Sequence, residues 1–270
     1  MAEGRYLEIG DTMVQVSGTG SPLVLVHGFT TTAEFWREQV EIFSAQYRLI
    51  RINLPGHGTS PGPSTRSYTI DAFAGDVVKV FEALRIGSAF LVGLSMGGTI
   101  AQKIALDFPE LVRALVLVGA TPHGLGADVK VDNVLANIDG MGVVAASQRV
   151  IERSFGAHAA EELLAFARRE VAQTPDFVAR EAIASLNASD SRPSLQNIRM
   201  PTLVMVGAED VITPVEESRA LVAGIPNSRL EIIAGAGHFP MLEQPESFNR
   251  ALARFLERQS ALSPVPANSA

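Results

Sequence analysis

A serine hydroxyl attacks a carbonyl at neutral pH only when a histidine takes its proton and a carboxylate holds that histidine in the right tautomer. One serine of this chain sits in a setting built for exposure. Gly93-Leu94-Ser95-Met96-Gly97 follows the apolar run Ala89-Phe90-Leu91-Val92 and leads into the helix-like stretch Gly97 to Leu106. Glycine on either side permits a tight strand-to-helix turn that lifts the serine Oγ above a sheet edge. Partners of the right type follow, each just past a strand-like run. Asp210 ends Gly207-Ala208-Glu209-Asp210 after Thr202 to Val206, with Glu209 as the competing carboxylate. His238 ends Gly235-Ala236-Gly237-His238 after Leu230 to Ile233. Ser95, Asp210 and His238 are the candidate catalytic residues for acyl transfer.

The tetrahedral oxyanion of such a reaction needs two backbone N–H donors. Met96, directly after the serine at a helix start, supplies one, and Phe29, in His27-Gly28-Phe29 after the strand Leu23 to Val26, supplies the other. Phe239 and Trp36 are candidate pocket residues, with core packing and a helix anchor as their plain alternatives. His27 and His57 read as structural turn histidines, and His123 and His158 as surface or packing residues. No H-x-x-H or H-E-x-x-H spacing occurs, so neither a metal nor any other cofactor is expected.

The elements that must position these residues alternate. Tyr6–Ile9 and Met13–Val16 flank Gly10-Asp11 as a hairpin. Leu23 to Val26, Arg48 to Ile52, Ala89 to Val92 and Ala114 to Val118 are short apolar runs of the kind buried on both faces of a parallel sheet. Between them, Ala33 to Ala45 and Ile70 to Leu84 carry helical spacing. The pattern changes at Thr121-Pro122. Until about Asn197 no strand-like run appears, and Glu161 to Val171 and Phe177 to Leu186 read as helices. Alternation then resumes through the strands at Thr202 and Leu230 to a last helix, Pro245 to Glu257. The expected fold class is α/β: about eight mostly parallel strands flanked by helices, with residues 1–120 and 198–259 forming the core, 121–197 a helical cap, and 260–270 a flexible tail.

Composition narrows the partners. At 270 residues, nearly half of them hydrophobic, the chain can bury one large core. A net charge of −7 without a basic cluster gives no nucleic-acid footprint. No apolar run reaches a membrane span, and residues 1–20 lack the basic start and apolar stretch of a signal peptide. The absence of cysteine excludes disulfides and suits a cytoplasmic protein.

Taken in order, His27-Gly28-Phe29, Leu54-Pro55-Gly56-His57-Gly58, Gly93-Leu94-Ser95-Met96-Gly97-Gly98, Gly207-Ala208-Glu209-Asp210 and Gly235-Ala236-Gly237-His238 resemble the landmarks of the α/β-hydrolase fold family. The likeness spans all but the tail and favours Asp210 over Glu209. It implies a serine hydrolase of small carboxylic esters or lactones, most similar to 3-oxoadipate enol-lactonases and cofactor-free carboxylesterases. The alternatives are a carbon–carbon bond hydrolase of meta-cleavage products, a cofactor-free perhydrolase or haloperoxidase, and, from another class, a ligand receptor that hardly turns over. Ser95 stands where dehalogenases and epoxide hydrolases carry aspartate, which argues against both. Leu94 stands where carbon–carbon hydrolases commonly have asparagine. Asn53 replaces the aspartate that usually precedes Leu-Pro-Gly, a change expected to alter a structural hydrogen bond.

Overall fold

The computed structural model describes residues 4–125 and 129–262. Eight strands form one sheet: β1 (Arg5–Ile9), β2 (Thr12–Ser17), β3 (Ser21–Val26), β4 (Tyr47–Asn53), β5 (Ala89–Leu94), β6 (Val112–Val118), β7 (Thr202–Gly207) and β8 (Ser228–Ile233). Their order is β1-β2-β4-β3-β5-β6-β7-β8. β1 and β2 pair antiparallel through the Gly10-Asp11 turn, β2 runs antiparallel to β4, and every later pair is parallel. The strand order reverses beside β3 and β5, so the loops leaving their C-terminal ends diverge and open a crevice there.

Side chains alternate between the two faces of the sheet. Val24, Val26, Leu91, Leu115 and Leu117 pack with helices α2 (Ile70–Ala83), α3 (Met96–Asp107) and α7 (Val215–Gly224). Leu23, Leu25, Phe90, Val92 and Val116 pack on the other face with α1 (Arg37–Ser44) and α9 (Pro245–Leu262). Each fully buried aliphatic or aromatic side chain contributes about 1.5–3 kcal/mol. α2 starts at Thr69, whose hydroxyl accepts the Ala72 N–H at 3.1 Å. α9 outlasts its sequence-predicted end at Glu257. It continues through Leu262, and Arg113 donates to the carbonyls of Gln259 and Ser260. The start of the expected tail, 260–262, is therefore helical, and 263–270 lie outside the described residues.

α3 packs unusually close to the end of β3. A Cβ on Gly97 would lie 2.6 Å from the Val26 carbonyl oxygen and closer still to that of His27. Both obstacles are backbone and cannot swing away. Gly97→Ala is expected to destabilise the fold by about 1–3 kcal/mol in urea denaturation; a loss below about 0.5 kcal/mol would mean that the α3–β3 spacing yields freely.

Between β6 and β7 run α4 (Val131–Ser154), α5 (Glu161–Val171) and α6 (Asp176–Ala188). The segment leaves and rejoins the sheet through a narrow neck. His123 and Asp190 form an isolated antiparallel bridge, the Gly124 N–H donates to Ser189 O at 2.7 Å, and the Ser191 N–H donates to Pro122 O at 2.9 Å. α4 is interrupted at Gly142, with φ +80° and ψ 158°. That left-handed residue starts a second half-helix, in whose first turn the Val143 N–H is capped by the Asp176 carboxylate at 2.9 Å. The short α8 (Pro240–Glu243) follows β8.

Candidate active site

Ser95 occupies the turn between β5 and α3 with φ +51° and ψ −116°, a conformation costly for any residue with a Cβ. Its N–H donates to Val118 O on the neighbouring strand at 2.8 Å, and its carbonyl accepts from the Gly98 N–H at 2.7 Å. The backbone is thus fixed on both sides of the Oγ. The Met96 N–H belongs to the first helical turn, whose donors have no partner within the helix. The loop carrying Phe29 abuts the serine: a Cβ on Gly28 would lie 3.3 Å from Ser95 Cβ. Thr31 holds that loop, accepting from the Gly28 N–H at 2.9 Å and donating to the Gly28 carbonyl at 3.0 Å.

Asp210 and His238 leave the ends of β7 and β8 and meet with His238 Nδ1 2.8 Å from Asp210 Oδ2. Both residues are buried. A carboxylate only accepts, so Nδ1 carries the proton and Nε2 keeps its lone pair. The remaining lone pairs of Asp210 are filled locally: Ile212 N–H and Thr213 N–H each donate to Oδ1 at 2.9 Å, and the Thr213 hydroxyl donates to Oδ2 at 2.8 Å. Burial alone would raise the Asp210 pKa, but His238 and the Thr213 bonds outweigh it and hold the carboxyl below its usual range. Thr213 was not foreseen from the sequence. Its only signal is the Asp-x-x-Thr spacing of a side chain that closes its own turn. The competing carboxylate, Glu209, faces away and accepts the Ala157 N–H at 2.9 Å.

Ser95, Phe29, Met96, His238 and Phe239 open onto one cavity of about 430 Å³, roofed by Ile138, Val150 and Ile151 of α4 and by Ile183 and Leu186 of α6. This size and mixture of apolar walls with a few polar groups suit a small organic ligand. The charged side chains among its described lining are Lys130 and Arg153. Phe239 lines the cavity and packs against Phe35 and Phe155, with ring centroids 5.0 and 5.1 Å away. Trp36 requires correction as a pocket residue. It is fully buried beside Phe248, 6.3 Å between centroids, and is not among the cavity-lining residues, because its turn of helix faces the α9 side of the sheet. Asn53 accepts the Ala33 N–H at 2.7 Å and donates to Thr59 Oγ1 at 3.0 Å, a link between loops away from the reacting groups.

His27 and His57 lie fully buried below the site, ring centroids 5.0 Å apart. His27 Nδ1 donates to the Gly28 carbonyl at 2.8 Å and its Nε2 accepts the Leu54 N–H at 3.0 Å, so the ring is neutral and tethers the oxyanion-side loop. Burial, reinforced by His57, holds His27 well below the ordinary histidine range, and burial takes His57 down to about 4. Both stay neutral in the fold at pH values where the unfolded chain binds a proton. Stability therefore falls as pH drops from about 6.5 toward 4. His57 alone contributes about 2 kcal/mol of this loss by pH 5, and His27 acts in the same direction. Urea titrations at pH 7.5 and 5.0 should show the drop, and His57→Asn should shrink it by about one proton's worth. An unchanged difference would place the acid sensitivity elsewhere.

Among the described residues no group of three or more His, Asp and Glu gathers to hold a metal ion, and no described helix is long and apolar enough to cross a membrane.

A twisted, mostly parallel sheet with a strained serine turn at its crevice defines a hydrolase architecture, and the chain belongs to the alpha/beta hydrolase family, whose profile matches residues 23–251. It is 30% identical over 239 residues to 3-oxoadipate enol-lactonase 2 of Acinetobacter baylyi, covering 87% of this chain and 88% of that one. It is 28% identical to the pimeloyl-[acyl-carrier protein] methyl ester esterase of Nitrosomonas europaea, covering 87% of this chain and 95% of that one. Among solved structures, Est816, described as an N-acyl homoserine lactone degrading enzyme, superposes with a TM-score of 0.83 at 30% identity, covering 93% of this chain and all of that one.

Proposed function

We propose that this chain is a carboxylic-ester hydrolase that cleaves a small ester or lactone by two-step acyl transfer through Ser95. The observation that carries this reading is the buried Asp210–His238 pair, 2.8 Å apart, whose histidine shares one cavity with Ser95. His238 Nε2 takes the Ser95 proton as Oγ attacks the carbonyl carbon. The N–H groups of Phe29 and Met96 receive the developing oxyanion, and the imidazolium rests against Asp210. The tetrahedral intermediate collapses as His238 returns the proton to the leaving alkoxide. Water, deprotonated by the same nitrogen, then releases the acid and restores the serine.

The division of labour follows. Residues 121–197 act as a helical cap that shapes the acyl pocket, and the sheet edge carries the chemistry. The names of the relatives, an enol-lactonase, a methyl ester esterase and a lactone-degrading enzyme, support an ester or lactone substrate. Lys130 and Arg153, the charged residues of the described cavity lining, favour neutral or anionic esters over cationic ones. The test is hydrolysis of p-nitrophenyl esters from C2 to C12 beside simple lactones. Activity peaking at short to medium chains and blocked by a fluorophosphonate is expected from a cavity of this size. Well-folded protein that hydrolyses none of them would overturn the ester reading in favour of carbon–carbon cleavage or ligand retention.

A further inference from the structure

Asp210 orients the His238 ring, but a second carboxylate holds its backbone. Glu243, at the end of α8, accepts from the Gly237 N–H at 3.0 Å and the Phe239 N–H at 3.2 Å through Oε1, the two amides that flank His238. Its Oε2 accepts the Gly156 N–H at 2.7 Å, just past the end of α4. Beside this clasp the His238 N–H itself donates to the Ser154 carbonyl at 2.6 Å, the last residue of the helix that roofs the cavity. One side chain thus ties two chain segments together, and both border the site. Charge-assisted bonds to backbone N–H groups are the strong kind. They oppose, without cancelling, the burial that pushes the Glu243 carboxyl upward.

We propose that Glu243 is a positioning residue that fixes the His238 loop to the C-terminal end of α4, so that the proton-carrying histidine and the cavity roof are held in register as one body. Ile151 and Ser154, which line the cavity, stand within one helical turn of the clasp. Packing of an acyl group against that turn is thereby felt at the histidine backbone. The role assigned to His238 rests on the proposed esterase reaction; the clasp itself does not.

Glu243→Gln keeps the size of the side chain but replaces one accepting oxygen with a donor that opposes the amides. In hydrogen-exchange mass spectrometry of the whole protein, peptides spanning 151–158 and 235–242 are expected to exchange faster together, by about tenfold. kcat on the best p-nitrophenyl ester should fall about 10- to 100-fold while KM stays within threefold, after correction for the folded fraction. Glu243→Asp, which keeps the charge, should recover part of kcat and serves as the test if the Gln variant folds poorly. Glu209→Gln removes a neighbouring carboxylate whose one bond, to the Ala157 N–H, the amide oxygen can still accept, and should leave kcat within threefold. Exchange that rises in one segment alone, or a Glu243→Gln enzyme within twofold of wild-type kcat, would overturn the proposal. Wild-type protein inert to every ester would dismiss the esterase reading and leave the exchange result to decide the clasp.

Discussion

Ser95→Ala is expected to lower ester hydrolysis by at least about 10⁴-fold, leaving only what the oxyanion donors and substrate binding supply. The variant should remain folded and still bind substrate, so KM measured on any residual activity should change little. The backbone adds a second expectation. Alanine keeps a Cβ at φ +51°, where the contact of Cβ with its own backbone is costly, whereas glycine relieves it. Glycine normally loses about 0.5–1 kcal/mol to alanine through the entropy of the unfolded chain. At this position the order should reverse, with Ser95→Gly about 1 kcal/mol more stable than Ser95→Ala in urea denaturation, and equally inactive. A glycine variant less stable than the alanine one would show that the turn stores no appreciable strain. Hydrolysis surviving in both would remove Ser95 from the reaction.

Asp210→Asn should be nearly as damaging, lowering kcat about 10³- to 10⁴-fold. Asparagine is the same size, yet neither of its orientations satisfies the site. With its amide nitrogen toward His238, it donates to Nδ1, forces the proton onto Nε2, and leaves no base for the serine. With its oxygen toward His238, the amide nitrogen instead faces the Ile212 and Thr213 N–H groups, donor against donor. The first arrangement strands the base and the second strands two amides, one partly and one fully buried, at about 1–3 kcal/mol for each buried group left unpaired. Activity should therefore fall steeply with only moderate loss of stability. A variant within tenfold of wild type would mean that another group orients His238.

Much of this was legible in the sequence because buried parallel strands leave no room for ambiguity. Leu23 to Val26 and Ala89 to Val92 are apolar at every position since both faces are covered, and the glycines around Ser95 mark a turn that few other residues permit. The two loop histidines read as structural for a similar local reason: in each, Nδ1 bonds a carbonyl of its own turn, Gly28 for His27 and Pro55 for His57. Other features depend on tertiary company. α4 was not delimited, because Gly140-Met141-Gly142 breaks its apolar spacing and the break is stabilised by Asp176, more than thirty residues on. For Trp36 the sequence leaves pocket residue and helix anchor both open; which side of the sheet it faces follows from the packing of α9. Glu243 bonds Gly237 and Phe239 only six and four residues back, but its third partner, Gly156, lies 87 residues away, and that link has no sequence signature. β8 extends to Ser228 beyond its apolar residues, where pairing with β7 overrides side-chain pattern.

The neck at His123 and Asp190 bears on the history of the molecule as well as its shape. A chain that departs and returns through neighbouring backbone bonds presents the sheet with a closed loop, and lengthening such a loop costs only about 0.6 kcal/mol per doubling. Whatever is threaded through that gate, long or short, the strands beneath register in the same way. Strand register would therefore survive replacement of the three helices, but the His238 backbone would not keep its supports: a chimaera spliced at Pro122 and Ser191 must bring its own equivalents of the Ser154 carbonyl and the Gly156 N–H.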